Sequence, residues 1–215
     1  MVKLTLSTYW RSSCSFRVRM ALGCKGLAYE SVHVNLVTGE QKKPEYREQN
    51  PIGHLPTLTI DGVAYTESLA IMELLDELYP EPALLPKNAH QRARVRALAE
   101  TINAGIQPLQ NTSVLDYLAY ESPQRTTWLR HWISRGLEAF EAQMRRNEEE
   151  GITGPFAYGP APSMADCCLV PQMYAARRFG VDLSALPRVV GADAEAGKLA
   201  FVAAAQPEAQ ADAKI

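Results

Sequence analysis

Strand-like and helical segments alternate along this chain as far as Pro80, and no convincing strand follows. Lys3 to Thr8 alternates apolar and polar residues as a half-buried strand does, and Ser15 to Gly26 repeats its apolar positions at helical spacing. Val18, Ala21, Leu22 and the stem of Lys25 form that helix's stripe, and Gly26 offers the C′ position where helices end left-handed. Tyr29 to Val34 alternates again, so the segment is β-α-β with a parallel, right-handed crossover. A short helix is expected at Pro44 to Gln49. Thr57 to Ile60 and Val63 to Thr66 then flank Asp61-Gly62, a strong two-residue hairpin signal. Leu69, Met72, Leu75 and Leu78 line one face of a last helix, which Pro80 stops.

"PEPALLPKN" joins this α/β half to a different one. From about Ala89 the segments are long, rich in Ala and Arg, and helical in period: Gln91 to Asn103, Ile106 to Leu118, Gln124 to Arg146 and Met164 to Phe179. The expected division is therefore 1–82 and 88–215, the second part all-α. The final "QPEAQADAKI" lacks apolar content and is expected to fray. Ser163 and Asp166 have the S-x-x-D spacing of a capping box, a structural role whose loss costs about 1 kcal/mol.

Charge narrows the function. With 22 Lys+Arg against 24 Asp+Glu the net charge is -2, so no global basic field invites nucleic acid or an acidic membrane. "MVKLTLSTYW" does not resemble a signal peptide, and no apolar run reaches the roughly 18 residues of a membrane span. A soluble, cytoplasmic chain is expected. Cys14, Cys24, Cys167 and Cys168 show neither C-x-x-C nor paired-ligand spacing, so neither a metal site nor a disulfide framework is expected.

Three short stretches carry chemistry. In "RSSCSFRVRMAL", Ser12, Ser13 and Cys14 stand where a strand turns into a helix, and free N–H groups and the helix dipole favour an anion there. Either Cys14 is a nucleophile, or a serine hydroxyl donates to a thiolate brought by a cofactor; a plain polar cap also accounts for the residue types. The first option lacks a partner, since no resolving cysteine is near and His33, His54, His90 and His131 are scattered. Leu55-Pro56 marks a strand boundary or a cis-proline that offers its main chain to an extended peptide. Glu67-Ser68 opens the next helix as a cap or as a seat for a ligand carboxylate.

With these stretches in view, the chain resembles the cytosolic glutathione transferases, which join a thioredoxin-like domain to an all-helical one. "RSSCSFRVRMAL" is similar to the S-S-C-S-(W/F)-R-V-R signature of the zeta class, and the likeness continues through "NPIGHLPTLTIDG", "ESLAIMELL", "ALLP", "GIQPLQNTSVL" and "ADCCLVPQMYAARRFGVDL". The resemblance implies that Ser12 stabilises the glutathione thiolate, with Ser13 and Cys14 in the same pocket. It further implies that Leu55 before Pro56 pairs with the cysteinyl part, that Glu67 and Ser68 hold the γ-glutamyl end, and that Gln41, Gln107 and Asn111 add contacts. Gln107 and Asn111, four apart, would share one helical face. Tyr9, which takes the serine's part in other classes, is expected to pack as wall.

The implied reaction is glutathione-dependent cis–trans isomerisation of maleylacetoacetate, a dicarboxylate keto acid of aromatic amino-acid catabolism, by a homodimer. Arg11 and Arg178 are the arginines implied for the substrate carboxylates. Arg17 and Arg19 are open between a substrate-facing role and a solvated helix face, which is the usual place for two basic residues on a helix. Phe16 replaces a frequent Trp and Glu67 a frequent Gln, which alters the γ-glutamyl contacts. Thr112-Ser113 stands where maleylpyruvate isomerases of this class carry arginines, which favours maleylacetoacetate. Maleylpyruvate, an α-haloacid and a non-catalytic binding protein on the same scaffold are the competing expectations.

Overall fold

The computed structural model describes residues 2–213. It divides into two compact units: residues through Leu84 together with those from Leu199 onward, and Leu85–Lys198. The first unit runs β1 (Leu4–Thr8), α1 (Ser13–Cys24), β2 (Glu30–His33), α2 (Pro44–Arg47), β3 (Thr57–Ile60), β4 (Val63–Thr66) and α3 (Ser68–Leu78). Its sheet has the order β2-β1-β3-β4, with β1 and β2 parallel and the other pairs antiparallel. This is the thioredoxin-like arrangement. Leu6, paired with Leu58 on β3, is fully buried with it, as are Val18, Ala21 and Leu22 of α1 and Ile71, Met72 and Leu75 of α3.

Local chemistry sets the turns. Asp61 and Gly62 both take positive φ, 46° and 88°, as a primed hairpin turn requires, and the Lys3 N–H donates to Asp61 Oδ1 at 2.8 Å. Helix α1 ends at Gly26, φ 65°, where the Leu27 N–H returns to the Leu22 carbonyl at 2.9 Å. The expected face of α3 is rotated. Ser68, Ile71, Met72 and Leu75 are its buried residues, an i, i+3, i+4, i+7 set, whereas Leu78 on the last turn is 52% exposed.

The second unit holds α4 (Ala89–Asn103), α5 (Gln107–Gln110), α6 (Thr112–Tyr117), α7 (Ser122–Glu149), α8 (Met164–Arg178) and α9 (Pro187–Ala196). Its core is Val95, Leu98 and Ile102 of α4, Ile133, Leu137 and Phe140 of α7, and Leu169 and Met173 of α8. The helix expected over Ile106 to Leu118 is two helices. Asn111, at φ -64° and ψ 138°, leaves the helical region, and its Oδ1 accepts the Ser113 N–H at 2.9 Å to cap α6. At the start of α8, the Asp166 carboxylate accepts from the N–H and hydroxyl of Ser163 and from the Ala157 N–H, at 2.8, 2.9 and 2.8 Å. Burial pushes its pKa up to about 6 against those donors.

The expected 88–215 part gives up its end, because residues from Leu199 onward group with the first unit. Helix α10 (Ala200–Ala205) lies against α1, where a Cβ on Gly23 would come 3.0 Å from the Phe201 side chain. Nor does "QPEAQADAKI" fray over its described part. Pro207 is buried, and the Gln210 side chain donates to the Ala204 and Gln206 carbonyls, both at 2.9 Å. Lys214 and Ile215 lie outside the described residues.

Candidate functional site

The turn between β1 and α1 is held from beneath. Ser12 caps α1, with its Oγ accepting the Ser15 N–H at 3.1 Å, and its own N–H donates to the Tyr9 carbonyl at 3.0 Å. A hydroxyl has one proton and two lone pairs, so the cap bond leaves the Ser12 proton to donate elsewhere. Ser13 and Cys14 follow as the first residues of α1, whose opening N–H groups have no intrahelical acceptor. All three residues are half-buried.

Arg17 and Arg19 do not form a solvated face; both are buried, at 0% and 1% exposure. Arg19 Nη1 donates to Thr8 Oγ1 at 3.1 Å and the Tyr9 carbonyl at 3.3 Å, Nη2 to the Trp10 carbonyl at 3.0 Å, and Nε to the Ala205 carbonyl at 3.0 Å. Burial pulls its pKa down to about 10, which leaves it charged at neutral pH. Arg17 Nη1 donates to Ser68 Oγ at 3.1 Å. Position on the helix gave no sign of this, because the acceptors lie outside the helix: Thr8, Tyr9 and Trp10 on the preceding strand and turn, and Ser68 and Ala205 far along the chain.

The Leu55–Pro56 bond is cis. The preceding carbonyl, His54 O, accepts from the Tyr46 hydroxyl at 2.6 Å and from Asn50 Nδ2 at 2.9 Å, while the Tyr46 oxygen also lies 2.8 Å from Thr57 Oγ1. No hydrogen bond among the described residues engages the N–H or carbonyl of Leu55. Its side chain packs with Tyr9, Val34 and Tyr46, so Tyr9 is part of an apolar wall. Gln41 is also buried, and its Oε1 has no hydrogen-bond partner among the described residues. Gly53, φ 70°, keeps its loop close to this residue: a Cβ there would stand 2.8 Å from the Gln41 carbonyl oxygen.

Glu67 is exposed at φ 65°, immediately before Ser68, the 4%-exposed first residue of α3. Because Arg17 fills a lone pair of Ser68 Oγ, that hydroxyl can also donate its proton outward. The first unit therefore combines two serine donors, an unengaged peptide group at Leu55, a partnerless buried acceptor on Gln41 and the free N–H groups of α3. An extended peptide bearing a thiol and a carboxylate, as glutathione does, fits that donor and acceptor set.

The second unit places Gln107 at the start of α5, and its Oε1 accepts from Gln110 Nε2 at 2.8 Å. Gln110 in turn exchanges amide hydrogen bonds with buried Gln172, at 3.2 and 3.1 Å. Gln107 and Asn111 do not share a continuous helix face, because Asn111 ends α5 and caps α6. Arg178 is exposed on the last turn of α8, its guanidinium 5.1 Å from the Phe179 ring. In the first unit, the Arg11 guanidinium lies 4.5 Å over the Trp10 ring. Sequence reasoning passed over Tyr46 and Asn50, which hold the approach to Pro56, and Asp212, which accepts the Trp10 N–H at 3.0 Å.

Residues 6–83 match the glutathione S-transferase N-terminal domain family. A probable maleylacetoacetate isomerase 2 from Drosophila melanogaster is 44% identical over 96% of this chain and 89% of its own length. The holo structure of a maleyl pyruvate isomerase, a bacterial zeta-class glutathione S-transferase, superposes with a TM-score of 0.94 at 39% identity, covering 98% of this chain and all of that one. The maleylacetoacetate isomerase of Anaeromyxobacter dehalogenans with glutathione bound in its active site gives a TM-score of 0.88 at 45% identity, covering 99% of both chains.

Proposed function

The chain belongs to the zeta class of glutathione transferases, and from that premise we propose that it isomerises maleylacetoacetate to fumarylacetoacetate with glutathione as cofactor. The observation that carries the reading is the Ser12 hydroxyl, whose lone pair caps α1 while its proton stays available at a helix N-terminus. Glutathione, when bound, supplies a sulfur that adds reversibly to the alkene carbon, so that the former double bond can turn. Ser12 holds that sulfur as an anion by donating a hydrogen bond from its hydroxyl, and the free N–H groups of Ser13 and Cys14 favour the same charge. Cys14 lines the pocket and does not attack.

Leu55 before Pro56 pairs its main chain with the cysteinyl residue. Ser68, with the N–H groups of α3, takes the γ-glutamyl carboxylate, and the Glu67 carboxylate suits the amino group beside it. Gln41 accepts from a peptide N–H, and Gln107 and Asn111 supply further amide contacts. Arg11 and Arg178 offer planar forks to the substrate carboxylates. The first unit is in this reading the glutathione-binding domain and the second the substrate side, in a cytoplasmic homodimer acting in aromatic amino-acid catabolism.

Maleylpyruvate is the competing substrate, supported by the backbone likeness to the holo maleyl pyruvate isomerase. Thr112 and Ser113, which carry no charge after "PLQN", support maleylacetoacetate. Turnover of the two compounds under equal glutathione decides between them. A higher kcat/KM for maleylacetoacetate is expected, and a clear preference for maleylpyruvate overturns the choice.

A further inference from the structure

The residues that set Ser12 in place are not confined to its own turn. In that turn the Thr8 carbonyl accepts the Val34 N–H at 2.9 Å, Arg19 and the Ser12 N–H hold the Tyr9 carbonyl, and Arg19 holds the Trp10 carbonyl. The Trp10 N–H is bonded instead to Asp212 Oδ2 at 3.0 Å, a partner 202 residues away in sequence. The other oxygen of Asp212 lies 3.2 Å from His33 Nδ1 at the end of β2, with no hydrogen bond to it among the described residues, and the side chain is 16% exposed. The loop carrying it is closed by the Ala213 N–H to the Gln210 carbonyl at 3.0 Å.

A charge-assisted bond to a peptide N–H in a partly dry place is among the stronger single contacts a turn can have. Removing it frees the residue two positions before the hydroxyl that must meet the sulfur. We infer that Asp212 is a positioning residue for the isomerisation, acting through the Trp10 N–H to keep the Ser12 hydroxyl aimed at the thiolate. This rests on the reading of Ser12 given above.

The charge of Asp212 and its hydrogen bond act on the thiol in opposite directions, which makes the inference testable. A nearby carboxylate disfavours a thiolate, whereas a well-placed Ser12 favours it. Asp212→Ala removes both, and Asp212→Asn keeps an acceptor for the Trp10 N–H while removing the charge. Two measurements are needed: amide hydrogen exchange at Trp10 in the free protein, and the apparent pKa of the bound glutathione thiol from its ultraviolet absorbance, taken with kcat and KM.

Asp212→Ala is expected to speed Trp10 exchange by about tenfold or more. It should also raise the bound-thiol pKa by about one unit and lower kcat more than it changes KM. Asp212→Asn is expected to keep exchange and kcat at the parent values and to leave the bound-thiol pKa at or below the parent value. Faster exchange with an unmoved thiol pKa and kcat makes Asp212 a structural strap only and overturns the inference. So does equal behaviour of the Ala and Asn variants, or unchanged exchange. Ser12→Ala separates the two levels. An unshifted thiol in Ser12→Ala removes the Ser12 reading and this inference with it, whereas a shift in Ser12→Ala but not in Asp212→Ala removes this inference alone.

Discussion

In the first unit, the groups proposed to face glutathione sit on segments bonded to buried side chains: the β1–α1 turn to Arg19, the approach to Pro56 to Tyr46 and Asn50, and Ser68 to Arg17. In the second unit, Gln107 begins a four-residue helix, Asn111 joins two short helices, and Arg178 ends a helix in solvent. One region presents main-chain groups and hydroxyls on a braced frame, and the other presents polar side chains on short or terminal turns. A frame of this kind suits a cofactor of constant shape. Side chains at helix ends can be exchanged without disturbing a core, so they are where substrate preference is most easily altered.

The sharpest way to break that contrast is to remove one brace. Arg19→Ala strips the donor from buried Thr8 and from the Tyr9, Trp10 and Ala205 carbonyls, and is expected to cost about 3–5 kcal/mol in denaturant unfolding. Arg178→Ala, exposed in the second region, should stay within about 0.5 kcal/mol. Equal costs would show that the first region is no more braced than the second.

Inside the braced region the roles divide. Ser12→Ala should lower kcat by about 10²–10³-fold, the usual size for losing one donor to a developing or stabilised anion. Cys14→Ala should act mainly on KM. The reverse pattern in steady-state kinetics would make Cys14 the nucleophile and end the thiolate-holding account of this turn.

What the sequence could reveal followed the range of the interactions. Asp61-Gly62, Gly26 and the Ser163 to Asp166 spacing act within a few residues, so their turns and caps were visible from residue types alone. The serine turn and Leu55-Pro56 were legible because strand and helix ends create them locally. Arg17 and Arg19 looked solvated because charge on a helix usually is, yet Arg17 donates to Ser68, and Arg19 to Ala205 and to the strand and turn that precede its own helix. The last segment looked frayed because it is polar, yet Asp212 and Gln210 hold it by hydrogen bonds beside the buried Pro207. Helical period ran through Ile106 to Leu118 without a visible break, since a capping Asn costs the pattern nothing while ending the helix.

Asn111 offers the finest test of the contrast, because one amide is asked to do two things. Its Oδ1 accepts from both the N–H and hydroxyl of Ser113, at 2.9 Å each, which commits the oxygen to capping α6. The Nδ2 donor remains for glutathione in the proposed reading. Asn111→Ala should lower stability by about 1 kcal/mol and also raise KM for glutathione. Asn111→Asp keeps an equally good cap, so thermal unfolding should match the parent chain, but it removes the donor and should still raise KM a few-fold. If KM follows stability in both variants, Asn111 only ends one helix and starts the next, and Gln107 is left as the second region's proposed amide contact with the cofactor.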